Sequence, residues 1–153
     1  MKKIIIIFTF IVVNYSCKAQ NNSIASSQAT INGISFLGNN VSLLTQHLGQ
    51  PVSIEDYYFE MEEVNSKKYN YNGILFYVIN NKIDSFEITN NNYSFTSNNL
   101  KIGNSISIIQ TIYPLSFTNK KNNGITLPFN NIDKFIIISY NNNLIEKIAV
   151  YDY

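Results

Sequence analysis

Hydrophobic positions along this chain form one unbroken run, two stretches at helical spacing and several at alternate positions. The run spans Ile4 to Val13, with Thr9 its only polar member. Helical spacing occurs at Val41, Leu44 and Leu48, and again at Ile106, Ile109 and Tyr113, each set at i, i+3 and i+7. Such positions fall on one helix face, so each stretch predicts a helix of about two to three turns. Gly49 with Pro51 ends the first and Pro114 the second. Gly38-Asn39 and Gly103-Asn104 precede them, and each Asn side chain is expected to cap the first turn.

Alternation over residues 54–63 (IEDYYFEMEE) puts Tyr57, Phe59 and Met61 on one face and Asp56, Tyr58, Glu60 and Glu62 on the other. A half-exposed antiparallel strand has this pattern. Residues 31–37 read as a lead-in strand or turn, and 67–72 as a short strand that Gly73 breaks or bulges. The apolar runs at 74–79 and 135–140 each lead into an asparagine cluster, with a second apolar segment beyond it. Asparagine tolerates the positive φ of tight turns, so a hairpin is expected at each cluster.

The two helical stretches also match each other. GNNVSLLTQHLG from Gly38 aligns with GNSISIIQTIYP from Gly103 at an offset of 65, and INNKIDSFEI from Ile79 aligns with NNNLIEKIAV from Asn141 at 62. The predicted fold class is α+β: two repeats, each one short helix followed by three or four antiparallel strands, with both helices on one face of a combined sheet. The first repeat is expected over 31–95 and the second over 96–153, after a flexible polar tether at 20–30. About 120 residues can bury enough apolar surface to fold without metal or disulfides.

A Gly-Asn-led short helix ending in Leu48-Gly49-Gln50-Pro51, then a meander closing on an asparagine hairpin, resembles the repeat of the β-lactamase-inhibitor-protein superfold. That group includes the small outer-membrane lipoproteins of the SmpA/OmlA type, and two repeats side by side resemble its tandem inhibitors. The second copy has Tyr113-Pro114 where the first has the LGxP ending, and the chain has no Cys pair. The resemblance implies a fold. It does not imply inhibition of a β-lactamase, because function on such a scaffold lives in its surface residues.

The unbroken run belongs to an address. Lys2 and Lys3 precede it and small or polar residues follow, which is the order of a secretory signal, here 1–19. Ten residues rise only ~15 Å as a helix, about half a bilayer core, so a permanent span is not expected. Two processing routes are open. Ser16-Cys17 resembles the end of a lipobox, which would lipidate Cys17; Cys17-Lys18-Ala19 also offers ordinary cleavage after Ala19. The ending SCKAQ resembles those on exported proteins of Bacteroidetes-type bacteria.

Composition narrows the function. With 11 Lys, no Arg and a net charge of +1, the chain lacks the basic surface of a nucleic-acid binder. Its 25 Asn and 25 Ile reflect a background preference for A/T-rich codons. The single Cys excludes an internal disulfide and a multi-thiolate metal site. His47 is the only His, and no phosphate loop, G-x-S-x-G, H-E-x-x-H or EF-hand spacing occurs, so neither catalysis, metal nor cofactor is expected. Half of the ten carboxylates lie between residues 55 and 63. Glu55, Asp56, Tyr58, Glu60 and Glu62 are the candidate partner-binding residues, an anionic aromatic rim suited to a basic partner; the competing reading is a solvated strand face.

The sequence therefore predicts an exported, non-catalytic protein-binding module, outer-membrane-anchored through Cys17 or periplasmic in a Gram-negative bacterium. Its partner would be another protein, as an assembly accessory or an inhibitor. The alternative is a small-ligand or glycan-binding surface lipoprotein using Tyr rings and Asn amides.

Overall fold

The computed structural model describes residues 22–59 and 63–152. Its centre is a seven-stranded antiparallel sheet built from β3 (Ser53–Phe59), β4 (Val64–Asn70), β5 (Ile74–Ile79), β6 (Lys82–Ile88), β7 (Gly124–Pro128), β8 (Lys134–Asn141) and β9 (Leu144–Asp152). The spatial order is β3-β4-β5-β6-β9-β8-β7. Two meanders thus meet through their last strands, where Glu87 faces Ala149 and Ile88 faces Ile148. A two-stranded ribbon, β1 (Thr30–Ile31) with β2 (Ile34–Ser35), precedes α1 (Ser42–Leu48), and α2 (Ser107–Ile112) with α3 (Pro114–Thr118) precedes β7. The class is α+β.

Strand period two decides which side chains make the core. Ile74, Phe76, Phe86, Ile88, Ile125, Leu127, Ile136, Ile138, Ile148 and Val150 share one face and are buried, and Leu44 of α1 and Ile109 of α2 join the same cluster. Leu44 and Ile109 are the fully buried members of the two predicted apolar helix faces. Phe36, Phe95 and Leu100 complete that layer from the connecting loops.

Both asparagine clusters form two-residue hairpin turns. Asn80 and Asn81 have φ of 50° and 62°, and Asn142 and Asn143 have 48° and 62°. A register shift precedes each turn, at Tyr77/Val78 in one hairpin and at Ser139/Tyr140 in the other. Each turn is also held from outside. Gly38 donates to the Ile83 carbonyl, Ile83 to that of Asn39 and Val41 to that of Asn81, at 2.8–2.9 Å. Gly103 to Ile145, Ile145 to Asn104 and Ile106 to Asn143 make the same three bonds at 2.7–3.0 Å.

Three expectations need correction. Asn39 and Asn104 do not cap helices: their backbone carbonyls accept from the hairpins, the Asn39 amide donates back to the Ser35 carbonyl, the Asn104 amide oxygen accepts from the Lys101 N–H, and the helices begin three residues later, after Val41 and Ile106. Pro114 does not simply stop α2; it opens α3 as its first residue, where a missing N–H costs nothing. Residues 22–30 are not a tether. Ile24 and Ala29 are buried, Ser26–Gln28 forms a 3-10 turn, and Ile24 exchanges backbone bonds with Pro128 and Asn130 at 3.1 Å each. A lone Ile among polar residues is a weak sequence signal, yet its side chain closes the core at that end. Cys17 and both cleavage positions lie outside the described residues, and among those described no helix is long and apolar enough to cross a membrane.

Candidate functional site

The acidic aromatic segment is the edge of the sheet. β3 pairs only with β4, over seven positions from Ser53 opposite Asn70 to Phe59 opposite Val64. Roughly half of its backbone donors and acceptors therefore face away from any neighbour among the described residues. The opposite edge is different. β7 is five residues long, ends in Pro128, and has the Ile24 segment bonded alongside its end.

Alternation splits the predicted rim across two faces. Asp56 and Tyr58 project on the side of the core helices, together with Ile54; Glu55 and Tyr57 project on the other, together with Phe59. Glu60 and Glu62 lie outside the described residues, and Glu63 is exposed at φ 55°. The apolar side chains on β3 and beside it are unusually open: Val52 is 72% exposed, Ile54 51% and Tyr58 50%.

Register supplies partners for the two carboxylates. Glu55 lies opposite Lys68, which it meets at 2.6 Å, and Asp56 lies opposite Lys67 at 3.0 Å. Hydrogen bonding to Lys68, with its charge, holds the Glu55 carboxyl below the usual range, and the bond to Asp56 raises Lys67. Exposed pairs of this kind add little stability. Their consequence is distributional: both lysines stand on the inner neighbour, leaving the free strand with carboxylates and no cation. Lys67 and Lys68 were not singled out in the sequence, because their role depends on the register in which β4 pairs with β3.

On the face away from the helices, Tyr57, Phe59 and Tyr77 form one aromatic cluster with centroids 4.8–5.5 Å apart. Tyr57 and Phe59 meet edge to face at 79° and both are tilted by 57–59° against Tyr77, so the three share no flat stacking surface. The Tyr77 hydroxyl donates to Glu87 at 3.2 Å, and burial, with Glu87 beside it, pushes its pKa well above the ordinary tyrosine value.

A second concavity, of about 350 Å³, lies between the β5–β6 turn and the loop before α1, lined by Leu37, Ile79, Lys82, Ile83, Asp84 and Lys134. Its charges are largely spoken for. Lys134 donates to both Asp84 oxygens at 3.0 Å and to Asp152 at 2.5 Å. Burial pulls the Lys134 ammonium down, but the bonds to Asp152 and Asp84 outweigh it and leave the group above the ordinary lysine value. His47 is exposed on α1, edge-on to Phe36 at 6.4 Å, and among the described residues no group of three metal-ligating side chains converges.

No family model and no curated protein matches this chain. Among solved structures it is similar to a 1.5 Å crystal structure of an extracellular protein containing an SCP domain from Bacillus anthracis str. Ames, with TM-score 0.45 and 11% identity. The match covers 85% of this chain and 47% of that one, so the chain spans about half that protein's length. At that level the likeness assigns neither fold nor activity to this chain.

Proposed function

We propose that this chain is an exported, non-catalytic protein-binding module of the bacterial envelope, held at a membrane through a lipid on Cys17, and that it engages its partner along β3. The observation that carries the reading is the asymmetry of the sheet: among the described residues one edge has a segment bonded alongside it, and the other is a seven-residue strand with no outer neighbour and with open apolar side chains. Folded proteins usually shorten, cover or twist away such an edge. Strand addition is one of the recurring ways in which a sheet recognises another chain. The leader pattern of residues 1–19 supports export, and Ser16-Cys17 supports lipidation.

The two meanders are read as repeats of one ancestral unit. The recurrence of three backbone bonds, of a register shift, and of two positive-φ asparagines at matched positions supports this. The copies differ by one strand: the first has four, the second three and an added helix. β3 is the strand without a counterpart, which fits its use as a binding edge rather than a framework element.

A photo-reactive residue at Tyr58 in the producing bacterium tests the reading, with the same residue at Thr126 on the opposite edge as control. A discrete adduct from Tyr58 and none from Thr126 is expected. Adducts only from Thr126, or from neither position, count against β3. Intact-mass analysis of membrane-fraction protein tests the anchor: a diacylglyceryl mass, lost in Cys17→Ala, is expected, and an unmodified chain starting at Gln20 rejects it.

A further inference from the structure

An edge strand can be extended by a second copy of itself or by a foreign strand, and the side chains of β3 separate these cases. In an antiparallel self-pair with like faces aligned, residues of equal parity stand opposite one another. Centring the pair on Glu55 or Asp56 sets identical carboxylates face to face, which is destabilising. Centring on Tyr57 sets Asp56 against Tyr58 and Glu55 against Phe59, so neither carboxylate gains a cation. The hairpin as a whole, residues 53–70, carries five carboxylates and two lysines, so two copies approach against their own charge.

Resting on the reading that β3 is a docking edge, we infer that its occupant is an extended segment of another protein with adjacent basic residues between apolar ones. Taken along the partner opposite Tyr58, Tyr57, Asp56, Glu55 and Ile54, the matching pattern is apolar-apolar-basic-basic-apolar. Main-chain bonds to the free side of β3 supply the attachment, and alternate side chains supply the choice. The basic pair falls on opposite faces of the extended sheet, one opposite each carboxylate. Glu55 and Asp56 each already hold one lysine from the inner side, at 2.6 and 3.0 Å. Asp56 remains 90% exposed and Glu55 52%, so each carboxylate keeps surface for a second donor. The open side chains of Ile54 and Tyr58 lie on the helix side, where a partner's apolar residues would cover them.

The test uses the purified chain and blocked synthetic peptides. The probe is Thr-Val-Tyr-Lys-Lys-Val-Thr; one control replaces both lysines by glutamate, and another carries N-methyl groups on alternate backbone nitrogens. Saturable binding of the lysine peptide is expected, with amide-exchange protection gained over 53–59. The glutamate peptide should bind at least about tenfold more weakly, and Glu55→Gln with Asp56→Asn should cost the lysine peptide about tenfold. Unchanged far-UV circular dichroism certifies that this isosteric variant folds. N-methylation on one edge of the peptide should abolish binding.

Equal binding of both peptides, preference for glutamate, protection elsewhere, or no binding overturns the inference. Concentration-dependent self-association that protects 53–59 overturns it in favour of a second copy. A Tyr58 adduct in the cell together with no charge preference would leave β3 a docking edge and remove only its basic partner. An adduct confined to Thr126 would remove the docking edge itself.

Discussion

At the scale of single residues, asparagine acts here through the backbone. Nine of the eleven non-glycine residues described with positive φ are Asn, so these nine stand where the chain must turn. Asn81 and Asn143 occupy the second position of matched turns, and a β-branched residue cannot take that conformation without strain. Asn81→Val and Asn143→Val are each expected to cost about 1–2 kcal/mol in urea unfolding, while Asn→Gly at either position stays near neutral. Gly73 is more constrained still. At φ 100°, a Cβ there would stand 2.2 Å from the Asn90 Cβ, so Gly73→Ala should destabilise by about 2 kcal/mol or more. Ionisation gives a further check. Burial raises the pKa of Tyr71, Tyr77, Tyr93 and Tyr113, so on raising pH the unfolded chain loses these protons first and stability falls above about pH 10. Lys134, also raised, adds stability that is complete below its unfolded value and is lost as pH climbs through the folded one. Tyrosinate absorbance should therefore rise in two stages, the later one coinciding with loss of far-UV signal; a single early stage would contradict the burial.

At the scale of elements, what could be read from the sequence is what local pattern controls. The strand at 74–79 coincides with the predicted run, and 134–141 brackets the predicted 135–140, because an apolar run ending at paired asparagines carries its own stop. Helix positions were legible from Leu44 and Ile109, but helix starts were not. Asn39 and Asn104 looked like caps, and only the distant hairpins show that their carbonyls are committed elsewhere. Nor could β7 be read: Ile125 and Leu127 are two apolar residues in a five-residue strand, too short for alternation to stand out. The candidate site was half legible. Alternation assigned the faces of Tyr57 and Asp56, whereas the pairing with Lys67 and Lys68 and the edge position follow from register and strand order. The short helices matter mainly as lids, so their energetics should sit in single buried side chains. Leu44→Ala and Ile109→Ala, both at fully buried positions, are each expected to cost about 2–5 kcal/mol, while Gln46→Ala on the exposed face costs under about 0.5.

At the scale of the whole molecule, the two meanders are paired in the sheet at two register positions, Glu87 with Ala149 and Ile88 with Ile148, yet they share one core. Ile88 of β6 lies opposite Ile148 of β9, and Lys134 of β8 ties to Asp84 of β6, so neither half is closed without the other. Separating them would expose Phe86, Ile88, Ile148 and Val150, all now nearly inaccessible. At roughly 25 cal/mol per Å² of apolar surface, that loss exceeds what a unit of about 60 residues can spare. The chain should therefore unfold as one cooperative unit despite having two meanders. Urea curves followed by tyrosine fluorescence, with no Trp to interfere, and by far-UV circular dichroism should coincide. Phe86→Ala in the first meander should lower both midpoints equally, and so should Ile148→Ala in the second. Two resolved transitions, or a variant that moves one probe without the other, would show that each meander holds its own core and that the shared cluster is only a contact between them.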